Sequence, residues 1–551
     1  MKRRQFLQGA AAGSAISMLD WLGFFRRFGV PGTAKTLGIA DAVAAGTEPR
    51  FLVYWFQEGG WDSYSMFGPL DTPNHATLTI PAGTLNPTPA WSDQFYRPKS
   101  FGLDAAHALQ QTRGNVSYGY LAADAGNLLD DMNVISSHTG STFHSGGRWD
   151  YHYGNYANYA PLTAQRGPNE RTVTQAFCEV FGSNYPLANV SWHRWLADGE
   201  LDESNYPEGT GYYEKLGPAY AHTNYGNTPA DMRSRLSQLG NLTTAARTAR
   251  IRTFVDDLHQ NFMKDKNGET VTAFKSAVDI YKQLTNNTGV VVNPSQLFTD
   301  AALRQEFNVQ AADEQTNSTS VNGNPARSKN SPMTNVQAMM AYELMTKGLS
   351  CAFWIENRQI RGFDSHSDRS SVFNRKGQSD QLANMQRDLW NPLKALVNRL
   401  KNTPYGTSGR TYWDLTTIVL ASEMGRTMQG DVGSILASTD PDATKSAAIA
   451  SQDVCQHWKV NSVAFLGGTV VPNRQYGRVG TSTLEGIPIK LSDGTLDPAY
   501  DPTTGVLNGT QSANSAVTNA GHVFSTALYC AGIDPSGKGL NKEPALTFVK
   551  K

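Results

Sequence analysis

The chain has 551 residues, of which 39% are hydrophobic and 17% charged, a composition that can bury a large core and reads as a globular protein somewhat poor in charge. Its 48 basic and 48 acidic residues cancel, and no Lys/Arg block occurs beyond the N-terminus, so no basic face for nucleic acid is expected. Four cysteines, Cys178, Cys351, Cys455 and Cys530, show no Cys-x-x-Cys spacing, which excludes a zinc ribbon or cluster motif and leaves one or two disulfides open.

The N-terminus carries a targeting pattern. Lys2-Arg3-Arg4-Gln5-Phe6-Leu7, followed by the Ala/Gly-rich stretch 9–16, resembles a twin-arginine (Tat) export signal. Asp20, Arg26 and Arg27 interrupt the apolar run, so no membrane span of roughly 20 residues is expected. Cleavage after Ala42-Val43-Ala44 would define residues 1–44 as the signal and leave 42 basic and 46 acidic residues in the mature chain 45–551. The Tat translocase is then the partner during export, and the destination is periplasmic or extracellular.

The next stretch, 51–62, reads FLVYWFQEGGWD. Six consecutive apolar residues rich in aromatic and β-branched types predict a strand buried on both faces. Gly59-Gly60 lets the backbone turn, and Asp62 follows at the strand's carboxyl end, where open α/β sheets place their sites. The plainer reading of Asp62 is a turn-capping carboxylate.

Residues 70–125 read as long loops with a helix near 105–111. Residues 128–137 read as a helix end passing into a second short strand that ends at Ser137, and the segment 138–152 after it is dense in hydroxyls and histidines, with Thr139, Ser141, Thr142, His144, Ser145 and Arg148. Singly, each suits a polar loop or a helix cap; together they mark a candidate site. From 165 to 300 the pattern turns helical, with apolar stripes over 236–262 and 271–284 that suit a packed helical insertion. Residues 311–335 read as a flexible loop. Beyond it come a helix at 336–349, a strand at 350–355, a long helix at 380–400, strands at 414–421 and 462–466, and a last helix at 523–531. Helix and strand taking turns predicts crossover units and a mostly parallel sheet.

Three more polar clusters fall at strand ends: Gly362-Phe363-Asp364-Ser365-His366, Ser422-Glu423-Met424-Gly425-Arg426-Thr427, and Asp453 to His457. Carboxylates plus imidazoles are the ligand types that hold a hydrolytic divalent ion such as zinc or manganese, and calcium takes the carboxylates. Asp62, Asp364, His366, Glu423 and His457 form the expected metal set.

The order GGWD, a Ser/His-rich loop, GFDSH, SEMGRT and a His before an apolar strand resembles the Tat-exported bacterial family of unknown function 1501, distant relatives of the alkaline phosphatase/sulfatase superfamily. Where that family usually reads GGND and SEFGRT, this chain has Trp61 and Met424, and its last histidine stands four residues after Asp453. The resemblance implies an alkaline phosphatase-like α/β/α sandwich around a mostly parallel sheet. It also implies bound divalent metal and a hydroxyl nucleophile at a helix start after the second strand, drawn from Ser137, Thr139, Ser141, Thr142 and Ser145, with His144 as an alternative ligand or base. Two functions stay open: a metal-dependent hydrolase of phosphate or sulfate esters, with Arg148 or Arg426 binding the anion, and a non-catalytic exported protein that binds a partner or glycan.

The twin arginines yield a direct test. An Arg3→Lys plus Arg4→Lys variant is expected to remain in the cytoplasm on cell fractionation, because a receptor reads the pair; accumulation in the periplasm would remove the Tat route.

Overall fold

A computed structural model of the chain describes residues 48–61, 63, 66–67, 111–141, 144–154, 172–182, 185, 187–192, 228–234, 294–314, 332–357, 384–426, 439, 441, 457–480, 483, 485–536 and 543–551. The strands in chain order are β1 (Phe51–Gln57), β2 (Gln111–Arg113), β3 (Val116–Tyr118), β4 (Asn133–Thr139), β5 (Asn189–Ser191), β6 (Ala352–Glu356) and β7 (Thr416–Ser422). They continue with β8 (Gly425–Arg426), β9 (His457–Trp458), β10 (Val460–Gly467), β11 (Arg474–Tyr476), β12 (Ile489–Lys490) and β13 (Ser515–Ala516). The α-helices are α1 (His144–Tyr153), α2 (Val173–Phe181), α3 (Ala301–Glu306), α4 (Thr334–Thr346), α5 (Asn391–Asn402) and α6 (Ala520–Cys530).

Among the described residues seven strands form one sheet in the order β11-β4-β10-β7-β1-β6-β5. All run parallel except β10, which is antiparallel to both β4 and β7. The expected mostly parallel α/β/α sandwich is the architecture observed. β1 lies between β6 and β7, with Leu52 in register with Ala352 on one side and Thr417 on the other. All seven of its residues are buried, which is why its sequence lacks polar alternation.

The two faces of β1 meet different helices. Tyr54 stacks on Trp354 of β6 at 4.5 Å and 9°, and Phe56 lies 5.7 Å from the ring of Tyr151 in α1, so this face is covered by α1, α2 and α6. Gln57 points the other way and donates from Nε2 to the carbonyl of Asp388, on the face covered by α4 and α5. The helix expected over 380–400 is not uniform: a π-turn over Gln386–Trp390 runs directly into α5. Pro392 explains it, since it has no N–H for the carbonyl of residue 388, and Gln57 serves that carbonyl at 3.0 Å instead.

Several chain-end signals act as their residue types require. Thr172 caps α2 by accepting from Gln175 N–H at 3.2 Å, and Asn519 with His522 forms a capping box on α6. Within the span expected as a helical insertion, α2 and β5 belong to the sandwich itself; the stripes at 236–262 and 271–284 lie outside the described residues. Residue 111, expected at a helix end, opens β2, and 105–110 lie outside the described residues. Cys178, Cys351 and Cys530 are free buried thiols, the first two with sulfurs 3.9 Å apart, and Cys455 lies outside the described residues. Among the described residues no helix is long and apolar enough to cross a membrane.

The central position of β1 sets its sensitivity. Leu52→Ala is expected to lower unfolding free energy by about 2–5 kcal/mol through cavity formation, whereas Leu507→Ala, half exposed, should stay within about 0.5 kcal/mol. Denaturant titration of both variants checks the contrast.

Candidate functional site

The carboxyl ends of β1, β4 and β7 and the start of β10 lie at one edge of the sheet, because β10 runs against the others. Residues that follow or precede those ends are therefore neighbours despite their distance in sequence. Glu423, one residue beyond β7, is buried there. Its Oε1 accepts the N–H of Gly59 at 2.6 Å, and its Oε2 accepts the hydroxyl of Ser422 at 3.2 Å. The Gly59 amide can reach it because Gly59 and Gly60 both take positive φ, 115° and 75°, and fold the chain back after β1.

The turn is locked from several sides. Trp61 donates its N–H to Ser422 Oγ at 3.2 Å and its indole Nε1 to Asn461 Oδ1 at 2.8 Å. Ser63 donates to the Val460 carbonyl at 3.2 Å and to Asn461 Oδ1 at 3.3 Å. Beyond β6, Asn357 extends the pairing with its side chain: its Oδ1 accepts the N–H of Glu58 at 2.5 Å and its Nδ2 donates to the Glu58 carbonyl at 2.9 Å.

The β4 end arrives on the other side of Glu423. Gly140 donates its N–H to the Lys459 carbonyl at 2.7 Å, and Ser141 donates its N–H to the Glu423 carbonyl at 2.9 Å. Helix α1 then starts at His144 and presses Gly147 against the carboxylate's stem, where a Cβ would lie 2.4 Å from Glu423 Cβ and 3.0 Å from Ser141 Cβ. Only glycine fits this contact.

Behind the edge runs a directional chain of hydrogen bonds. Thr518 donates its hydroxyl to the Ser137 carbonyl at 2.9 Å, so its oxygen accepts from His138 Nδ1–H at 2.8 Å. His138 Nε2 is then the acceptor, and Tyr151 donates to it at 2.6 Å while accepting from Asn461 Nδ2 at 3.1 Å. Burial first, and the charge of His522 second, pull His138 down to about 3. The imidazole is neutral, as the chain requires. Burial and then the neighbouring charges of Tyr54, Asp150 and Glu423 push the Tyr151 phenol up, against the Asn461 hydrogen bond, which lowers it.

The expected site residues fall into four groups. Glu423 and Ser141 meet at the edge, Thr139 ends β4 with its N–H on the Thr518 carbonyl at 2.8 Å, and His144 and Arg148 are carried on α1. Arg426 and His457 are placed opposite each other by the β8–β9 ladder, which joins the β7 end to the β10 start. Ser137 is not brought to Glu423: it is buried in β4 and its hydroxyl donates to the Ile487 carbonyl. Asp62, Asp364, His366 and Thr142 lie outside the described residues. Among the described residues no three His, Cys, Asp or Glu side chains cluster as a metal set.

Asn461, Thr518 and Asn357 were not singled out from the sequence, and His138 and Tyr151 entered only as members of the segment 138–152. The one local signal is the polar pair Asn461-Ser462 at the head of the apolar run 463–466. It marks a register shift between β10 and β4, where the Ser462 N–H bonds the Asn461 side chain at 2.8 Å.

Fold and edge together define an α/β/α protein with a buried carboxylate at the carboxyl edge of its sheet, gripped by a double-glycine turn. The chain belongs to the family described as "Protein of unknown function (DUF1501)", whose model matches residues 50–485. No curated protein and no solved structure matches it.

His138 and His522, the latter lowered to about 4 mainly by burial, give the edge a pH signature. Both fold as neutral rings but gain a proton near 6.5 when unfolded, so their contribution is complete above about pH 6.5 and is lost as pH falls toward 3 to 4. Unfolding free energy should drop through that window by up to about 1.4 kcal/mol per pH unit per histidine. Urea titrations at pH 7.5, 6 and 5 check this, and stability that rises toward pH 5 would contradict it.

Proposed function

We propose that this chain is an exported, metal-dependent hydrolase of phosphate or sulfate esters, on a sandwich related to the alkaline phosphatase/sulfatase superfamily. The observation that carries the reading is Glu423 itself: a buried carboxylate at the sheet edge, held by the turn that leads into residue 62 and closed over by the β4–α1 junction. Burial of a carboxylate in such a polar, strand-end setting is costly unless a cation or several donors stabilise its charge. Its hard oxygens, with the carboxylates and imidazoles expected from the sequence, fit a divalent ion of the zinc, manganese or calcium type.

In this reading Asp62, Glu423 and His457, with Asp364 and His366, would hold the metal. When bound, it offsets negative charge that develops on the ester oxygens. The protein's own residues do the remainder. Ser141 stands between β4 and α1 with its N–H tied to Glu423, which makes it the preferred hydroxyl of the 137–145 segment to attack the ester. The N-terminus of α1 and the guanidinium groups of Arg148 and Arg426 would bind the anion. The Tat-type N-terminus supports delivery to the periplasm or beyond.

A second reading rests on the same carboxylate. Both Glu423 oxygens accept hydrogen bonds from their own surroundings, which also suits a carboxylate that only braces the glycine turn in a non-catalytic protein that binds a partner or glycan.

Elemental analysis of the protein purified from the periplasm, with turnover of p-nitrophenyl phosphate and p-nitrophenyl sulfate, separates the two. The hydrolase reading expects bound divalent metal, and a Glu423→Gln variant should lose at least the roughly 10–100-fold in metal affinity that loss of a supporting residue costs, with ester turnover lost in parallel. Protein without metal and without turnover would leave the bracing role.

A further inference from the structure

The Glu423 carboxylate accepts from the Gly59 amide and the Ser422 hydroxyl, and Ser422 together with Trp61, which follows the Gly59-Gly60 turn, is held by a third residue. Asn461, buried at the head of β10, donates from Nδ2 to the Ser422 carbonyl at 2.6 Å and to Tyr151 Oη at 3.1 Å. Its Oδ1 accepts from the Trp61 indole at 2.8 Å, from Ser63 Oγ at 3.3 Å and from the Ser462 N–H at 2.8 Å. The amide has one workable orientation. Turned over, its nitrogen would face the Trp61 and Ser462 donors and its oxygen would face the Ser422 carbonyl. The His138–Tyr151 link enforces the same choice, because Tyr151 has spent its only proton on His138 and can only accept from Asn461.

We propose that Asn461 is a positioning residue for the edge site, holding Trp61, Ser63 and the Ser422 carbonyl in one arrangement so that the Glu423 carboxylate is aimed to bind a divalent cation. The metal part of this rests on the function proposed above; the positioning part does not. Trp61 relays the effect, since its N–H restrains the Ser422 hydroxyl that bonds Glu423 Oε2, while its indole is held by Asn461. Asn461 touches neither carboxylate oxygen in this arrangement and acts through its neighbours. Support of this indirect kind characteristically tunes a ligand's affinity for metal.

The test uses the full chain with Asn461→Asp. The size is kept, but an oxygen replaces the nitrogen beside the Ser422 carbonyl and beside Tyr151, so the donation to the carbonyl becomes a repulsion and Tyr151 loses the donor it accepts from. Two quantities are read: hydrogen exchange of peptides covering residues 57–63, and binding of zinc or manganese chloride by titration calorimetry. Amides 59 and 61 are expected to exchange roughly tenfold faster, and metal affinity to fall by about 10–100-fold. Thr417→Val is the control; it removes a buried hydrogen bond to Thr469, 2.8 Å long, near the far end of β7, and should change neither reading. If Asn461→Asp does not fold, Tyr151→Phe is measured instead, since it takes away the acceptor on Asn461 and leaves the ring volume.

Unchanged exchange at 57–63 overturns the proposal, and so does faster exchange with metal affinity unchanged. If the unaltered protein takes up neither metal, the metal reading falls, and the positioning role stands or falls on the exchange result alone.

Discussion

The bond from the Gly59 amide to the Glu423 carboxylate joins the ends of two adjacent parallel strands, and the edge of the molecule is built around it. β1 and β7 are in register to their last residues, Gln57 opposite Ser422, so the next residues of each strand emerge side by side. A strand end normally leaves backbone groups without ladder partners. Here the Glu423 side chain takes over on one side of β1 and Asn357 on the other, so the ladder continues through side chains into the double-glycine turn. Positive φ at both glycines is the backbone condition for that continuation.

Around this bond the polar groups form one connected set instead of isolated pairs. Ser137 carbonyl, Thr518, His138, Tyr151, Asn461 and Trp61 are linked in sequence, and each proton has one direction in which it can point. A buried hydrogen bond contributes only about 0.5–1.5 kcal/mol net, but a buried group left unpaired costs about 1–3 kcal/mol, so such a set is stable as a whole and intolerant of single losses. It spans β4, α1, β10, the turn after β1 and the N-terminal approach to α6. The edge geometry is thus over-determined by the interior behind it, which is the condition for presenting a carboxylate in a fixed direction.

Glycine plays a second part where α1 crosses the edge. Gly147 sits where any side chain would collide with Glu423 and Ser141, so the helix can lie directly over the carboxylate. That contact brings the hydroxyl-rich β4–α1 junction to the β1–β7 seam. The segment 138–152 and the motif at 422–427 were separately conspicuous in the sequence, and their meeting follows from the placement of β10 between β4 and β7.

By itself the sequence determined the sheet strands β1, β4, β6, β7 and β10 and the helices α4, α5 and α6, because an apolar run such as 51–56 or 418–421 can be stable only inside a sheet covered on both faces. It also determined which strand ends are polar, and hence that Glu423 and the glycine turn fall at the carboxyl edge. Only the tertiary structure decided the strand order, the reversal of β10 and the recruitment of β5 and β11 to the sheet, since each depends on a partner remote in the chain. The same holds for Asn461, which bonds Trp61 across 400 residues. It also holds for Ser137, whose hydroxyl the strand pleat directs to Ile487 and away from the edge. A residue's type shows that it can donate or accept; what it donates to is fixed by packing, which local sequence does not encode.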